Sequence, residues 1–308
     1  MQKEMFTFEG YEGVQLPAVL WLPEGEVKAV MQVTHGMTEH MGRYETLAAY
    51  LTEQGIAVAG FDLRGHGQNA GHSTIASFGE NGWKAVVEDM HLFLEGLKTR
   101  FGEMPIYMYG FSLGSFLVRD YLCSHKEGLA GAILVGTGSQ PMPILLLMKA
   151  IVKGEMKKVG PDETTSKVRK LLFETYNKRF KPNRTPSDWL CSDEAEVDAY
   201  RADPMRREDI SASLFWQMLD AMERTGDLET LLKSNRDLPI LMLAGREDPV
   251  GNKGKGVWAV RKKLNQAAVW NVKVHLLSGA RHDLFHEEAS GAAENARGLL
   301  SRWILRQK

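Results

Sequence analysis

Cysteine is almost missing from this chain: Cys123 and Cys191 are the only two in 308 residues. A single pair cannot staple a chain of this length, so the expectation is two reduced thiols rather than a disulfide framework. An excess of charge of either sign is missing too. Lys and Arg total 38 against 39 Asp and Glu, a net charge of −1. That balance removes the bulk electrostatic case for a nucleic acid or an anionic membrane as partner. No apolar run approaches the roughly 18 residues of a membrane span. The opening Met1-Gln2-Lys3-Glu4-Met5 is polar and has no leader pattern, so a cytoplasmic location is expected. There is no Gly-rich phosphate cradle, no internal repeat and no low-complexity tract. His282 and His286 lie four apart, but no Cys or carboxylate cluster completes a ligand set, so neither a metal nor a cofactor is expected.

Short apolar runs alternate with helical patterns. Glu4 to Glu9 and Val14 to Leu22 read as a hairpin-like start. Strand patterns follow at Val30 to Thr34, Ile56 to Asp62, Pro105 to Tyr109 and Gly131 to Val135. Between them lie helical patterns near Tyr44 to Gln54, Trp83 to Thr99 and Ser115 to Cys123. In the second of these, Val86, Val87, Met90, Phe93, Leu94 and Leu97 recur at the helical period. The alternation predicts an α/β fold with a mostly parallel sheet flanked by helices. It stops near Gly136, and no convincing strand pattern returns before Pro239. Lys167 to Phe180 and Ala212 to Lys233 are the clearest helices of that stretch. The predicted organisation is a core of residues 1–136 and 237–308 with a helical cap, or lid, inserted at 137–236.

Gly110-Phe111-Ser112-Leu113-Gly114 stands between the Pro105 strand and the Ser115 helix. A serine between two glycines at a strand-to-helix turn is the nucleophile elbow of α/β-hydrolases. The glycines are needed because a side chain at either flank would collide with neighbouring backbone. A serine hydroxyl is unreactive at its own pKa and needs a base, itself oriented by an acid, and in this fold the chain order is serine, acid, histidine.

Both partners follow in that order. Pro239 to Gly245 is an apolar strand ending in Arg246-Glu247-Asp248, and Trp270 to Leu277 is a strand ending in Ser278-Gly279-Ala280-Arg281-His282-Asp283, with a helical pattern from Gly254 to Ala268 between them. Asp248 and His282 thus fall past the carboxyl ends of strands, where parallel sheets bind ligands. His286 and Glu247 are the nearest competitors, and Asp283 is too close in sequence to orient His282. His286 is expected to open a closing helix, Glu287 to Arg302. His35-Gly36-Met37-Thr38 follows an early strand, a position that supplies an oxyanion donor. The backbone amides of Met37 and Leu113 are the expected pair. His35, Arg64 and His66, with Asp62, are read as loop-knitting residues, and His40 and His72 as loop residues.

His35-Gly36-Met37-Thr38-Glu39-His40-Met41-Gly42-Arg43-Tyr44, Phe61-Asp62-Leu63-Arg64-Gly65-His66-Gly67-Gln68-Asn69-Ala70-Gly71 and the serine pentapeptide together resemble the monoacylglycerol lipase and lysophospholipase branch of the α/β-hydrolases. The resemblance covers nearly the whole chain and is strongest over residues 30–135 and 236–290; Trp189 to Pro204 also looks like that branch. It implies a lipid-ester or related carboxylic ester substrate, cleaved through an acyl-enzyme, with no obligate protein partner.

Within the predicted cap, Pro141 to Val152 is strongly apolar. It reads either as a lid helix packed on the core or, functionally, as an acyl-tunnel wall or a flap that touches membrane surfaces transiently, and the packed and functional readings can coexist. Alternatives to a single-chain lipid ester are a small soluble ester, a thioester, or an amide in an aminopeptidase. An aminopeptidase needs acids for a substrate amine, and Asp188, Asp193, Glu194 and Glu196 are available, unless they form a solvated helix face. A non-catalytic binder on the same fold is the remaining class.

Overall fold

Runs of apolar residues bounded by turn formers become strands because both faces of a parallel sheet are covered. The computed structural model describes residues 1–80 and 82–307. Its strands are β1 (Gln2–Glu9), β2 (Gln15–Leu22), β3 (Ala29–Thr34), β4 (Ile56–Phe61), β5 (Ile75–Ala76), β6 (Ile106–Phe111), β7 (Gly131–Val135), β8 (Asp209–Ile210), β9 (Ile240–Gly245) and β10 (Val272–Leu277). The main sheet runs β1-β2-β4-β3-β6-β7-β9-β10. β1 and β2 pair antiparallel, as do β2 and β4, and every later pairing is parallel.

The helices are α1 (Glu45–Glu53), α2 (Gly82–Phe101), α3 (Leu113–Ser124), α4 (Met142–Val159), α5 (Ser166–Arg169), α6 (Thr175–Asn177), α7 (Glu194–Ala202), α8 (Ala212–Arg224), α9 (Leu228–Leu231), α10 (Lys255–Gln266) and α11 (Ala292–Arg306). Strand alternation sends successive side chains to opposite layers. In β6, Ile106 and Met108 pack in one layer with α2, α3 and α10, while Tyr107 and Tyr109 pack in the other with α1 and α11. β9 divides likewise, with Met242 on the first side and Leu241 and Leu243 on the second. The result is the expected α/β-hydrolase architecture. No helix among the described residues is long and apolar enough to cross a membrane.

Four local expectations need correction. Residues 137–236 do contain a strand: β8 pairs in parallel with β5 over two residues, too short a run to leave a periodic signal. The helix expected at Lys167 to Phe180 is wound in several forms, with a π turn at Lys170–Glu174 and a 3-10 turn at Lys178–Phe180. The helix expected at Ala212 to Lys233 is two helices, because Asp227 caps α9 by accepting the Thr230 amide at 2.9 Å. His286 does not open the last helix; it closes a 3-10 turn, Leu284–His286, and α11 begins at Ala292.

Candidate active site

Ser112 joins β6 to α3 with φ 50° and ψ −114°, a conformation that L-residues rarely adopt. Its amide donates to Val135 O at 2.9 Å, which pins the turn to β7. The flanking glycines are required by contact. A Cβ on Gly110 would lie 2.3 Å from Gly114 O, and one on Gly114 would lie 2.0 Å from Thr34 O.

His282 reaches Ser112 Oγ through Nε2 at 2.8 Å and Asp248 Oδ1 through Nδ1 at 3.0 Å. A carboxylate can only accept, so Nδ1 carries the proton and Nε2 accepts from the serine hydroxyl. Asp248 Oδ1 also accepts the Val250 amide at 2.8 Å, which orients the carboxylate. His282 and Asp248 are buried, while Ser112 is partly open. Phe111 and Trp189 lie against the imidazole, with ring centroids 5.0 and 5.1 Å away. A Cβ at Gly136 (φ 61°) would meet His282 Cε1 at 2.8 Å, so only glycine fits there.

The loop after β3 carries the second expected amide. Thr38 has φ 63°, and its hydroxyl donates to Met37 O at 2.6 Å. His35 Nδ1–H donates to Gly36 O at 2.8 Å, and its Nε2 accepts the Leu63 amide at 3.0 Å. Burial pushes the His35 pKa down to about 3, so the ring stays neutral in this role. Glu39 accepts the Gly36 amide at 2.6 Å. Among the described residues, the Met37 and Leu113 amides donate to no protein acceptor. Met37 and Ser112 line one cavity, and Leu113 starts α3, where helix amides are free by construction.

A buried charge chain braces these loops. Arg43 contacts Glu39 Oε2 at 3.1 Å and Asp283 Oδ2 at 2.6 Å; Asp283 Oδ1 meets His286 Nδ1 at 2.8 Å. Burial alone would lower the Arg43 pKa, but Asp283 and Glu39 outweigh it and raise it. Burial would raise Asp283, yet His286 and Arg43 hold it well below the usual carboxylate range. So Asp283 braces loops, His286 pairs with it, and Glu247 turns to Lys253 at 3.1 Å. Asp62 accepts the Met41 and Gln68 amides, Arg64 pairs with Asp89, and His66 bonds Arg64 O, so all three knit loops as expected. His40 pairs with Asp203 at 2.7 Å.

A cavity opens at Ser112. Its walls include Phe116, Met148, Phe215, Met218, Leu219 and Met222, and among the described residues no charged side chain lines it. α4 has a buried side and an exposed side. Leu145 and Val152 are buried and Met148 lines the cavity, while Met142, Ile144, Leu146 and Leu147 are exposed. The acids weighed for an aminopeptidase do not line the cavity. Asp188 accepts the Arg184 and Thr185 amides, and Asp193 caps α7 at Ala195 N. Sequence reasoning missed Glu39, Trp189 and Arg43 as parts of the site. The first and last sit in the quoted His35–Tyr44 string, so the signal was present without a role attached.

The sheet order and the Ser112 turn define an α/β-hydrolase. A family model described as "Hydrolase_4: Serine aminopeptidase, S33" matches residues 25–289, and the chain belongs to that family. The monoglyceride lipase of Rattus norvegicus is 24% identical over 297 residues, covering 95% of this chain and 88% of that one. The monoglyceride lipase of Homo sapiens is 25% identical over 298 residues with the same coverage. Among solved structures, a thermostable carboxyl esterase from Bacillus coagulans in complex with glycerol superposes with a TM-score of 0.87 at 27% identity, over 99% of both chains. A soluble variant of monoglyceride lipase from Saccharomyces cerevisiae gives 0.77 at 18% identity, over 100% of this chain and 96% of that one, a likeness of fold.

Proposed function

We propose that this hydrolase cleaves carboxylic esters through an acyl-enzyme on Ser112, with monoacylglycerol or lysophospholipid-type single-chain esters as substrates. The hydrogen-bonded chain Ser112–His282–Asp248, opening on an uncharged cavity, carries this reading. His282 takes the hydroxyl proton as Ser112 Oγ attacks the ester carbonyl. The Met37 and Leu113 amides receive the oxyanion, each worth about 3 kcal/mol in the transition state. His282 then protonates the leaving alcohol, and a water it deprotonates releases the acid. Asp248 holds the ring in its working tautomer throughout.

Residues 137–236 act as the cap in this reading: Met148, Phe173, Phe215 and Met218 from that segment wall the acyl chain. The exposed apolar side of α4 would meet a membrane surface transiently. Two free, buried cysteines, their thiols pushed up by burial, suit a reducing cytoplasm. The aminopeptidase reading draws on the family description, but Asp188 and Asp193 are engaged elsewhere, and among the described residues no acid lines the cavity at Ser112 to take a substrate amine. A chain-length series of p-nitrophenyl esters and monoacylglycerols, run beside Ser112→Ala, tests the proposal. Expected are an optimum at medium or long chains and a loss of about 10⁵-fold in the variant. Turnover surviving Ser112→Ala overturns it.

A further inference from the structure

A second and larger cavity shares Trp189 and Phe173 as walls with the cavity at Ser112. The two differ in charge. Among the described residues no carboxylate or cation lines the first, whereas Lys178, Lys181, Arg201 and Arg206 line the second against Glu174 and Glu208. Arg169 also lines it, but its charge is taken by Asp209. Among the described residues none of those four cations pairs with a carboxylate, so this cavity holds a surplus of two positive charges in a chain of net charge −1.

Arg206 is the fixed member of the set. Its Nη1 donates to Arg207 O at 2.9 Å, and its guanidinium lies 5.0 Å from the Tyr200 ring centroid. Its Nε is buried and has no acceptor. The Tyr200 hydroxyl in turn bonds Thr38 Oγ1 at 2.9 Å, one residue from the Met37 amide. Arg43 also lies over Tyr200, at 4.8 Å, but both Glu39 and Asp283 neutralise it. A guanidinium held in place in this way, helped by lysines that reach from the rim, is the donor set that recognises phosphate oxygens.

We infer that the second cavity receives the leaving alcohol of the ester, and that this alcohol carries a phosphate. The preferred substrate is then a single-chain ester of a glycerol phosphate: apolar arm in the uncharged cavity, anionic head against Arg206. A phosphate monoester carries a charge of about −1.5 to −2, which matches the surplus. The reaction remains ester hydrolysis. The acyl C–O bond breaks, the glycerol phosphate leaves with the proton from His282, water supplies the acid's new oxygen, and no phosphate bond is touched. This inference rests on the ester-hydrolase reading above.

The test compares 1-octanoylglycerol 3-phosphate with 1-octanoylglycerol, both short enough to be studied as monomers. Wild type should favour the anionic ester about tenfold in kcat/KM, mostly through KM, since one charged hydrogen bond is worth that much. Added salt should shrink the preference. Arg206→Gln should remove most of it, and Lys178→Gln with Lys181→Gln part of it; the lysine pair is exposed, so it tests the idea even if the arginine variant does not fold. Lys262→Gln, elsewhere on the surface, should leave it unchanged. Equal kcat/KM for the two esters in wild type, or a preference unmoved by both variants, overturns the inference. Calorimetry on Ser112→Ala should show glycerol 3-phosphate binding that Arg206→Gln weakens. Inorganic phosphate binding as tightly would assign the cavity to free phosphate and overturn the leaving-group role. p-Nitrophenyl octanoate has no anionic alcohol. Its Ser112-dependent turnover without an anion preference sinks this inference alone, whereas no Ser112-dependent turnover of any ester sinks the reading beneath it.

Discussion

Glu39 accepts the amide hydrogen of Gly36 at 2.6 Å, and the next amide, that of Met37, has no protein acceptor among the described residues. The same carboxylate accepts the Tyr44 hydroxyl at 2.7 Å and Arg43 Nε at 3.1 Å. It therefore ties the loop after β3 to the charge chain that ends beside His282. Glu39→Gln keeps the shape but loses one acceptor and a negative charge facing Arg43. The expected outcome is a folded protein about 2 kcal/mol less stable, with kcat down about tenfold to hundredfold and KM changed less than about threefold. Steady-state kinetics on a p-nitrophenyl ester would check this, and an unchanged kcat would show that Glu39 supports folding alone.

The backbone at Ser112 stores strain, since φ 50° with ψ −114° is foreign to a residue with a Cβ. Replacing it by glycine should relieve that strain, and replacing it by alanine should not. Both variants should be inactive. Ser112→Gly should nevertheless unfold at higher denaturant than Ser112→Ala, by about 1 kcal/mol. Equal midpoints in urea would mean that the elbow is not strained.

His286 gives stability a pH dependence. Burial would lower its pKa, but the Asp283 carboxylate at 2.8 Å raises it above the ordinary value. A raised pKa means that the protonated ring stabilises the fold. This contribution is fully present below about pH 6.5, the unfolded value, and is lost as pH rises through the folded one. Wild type should accordingly lose melting temperature relative to His286→Asn between pH 6 and pH 9. A constant difference over that range would rule out the linkage. Asp283 has the opposite sign: its depressed pKa contributes stability above about pH 3.9, lost on acidification.

Met218 is buried on α8 and lines the uncharged cavity. Met218→Trp should shorten the space open to an acyl chain. Turnover of p-nitrophenyl dodecanoate should fall about tenfold or more, while the acetate ester should stay within about threefold, because a pocket discriminates by the methylenes it can hold. Parallel loss on both esters would place the acyl chain elsewhere.

Much of the candidate site was legible before any coordinates because its signals are local. Gly110 and Gly114 mark a turn that no larger residue can make, and Asp248 and His282 each follow an apolar run of strand length. The strands themselves were legible to within two residues at most ends, as at Gly131–Val135. The region between β7 and β9 was less so. Its helices range from long to a single turn, change winding at Lys170–Glu174 and break at Gly226, and no single period spans them.

The alternation of strand and helix, the elbow at Ser112 and the chain order of serine, acid and histidine are written in local residue patterns, because steric limits and apolar periodicity act over a few residues. Which groups meet was left to packing. It set Trp189 against His282, sent Asp283 to Arg43 and His286 rather than to His282, and set Arg206 over Tyr200 beside the loop of Met37. Those pairings join residues distant along the chain, and no local propensity encodes a contact that depends on how whole layers pack.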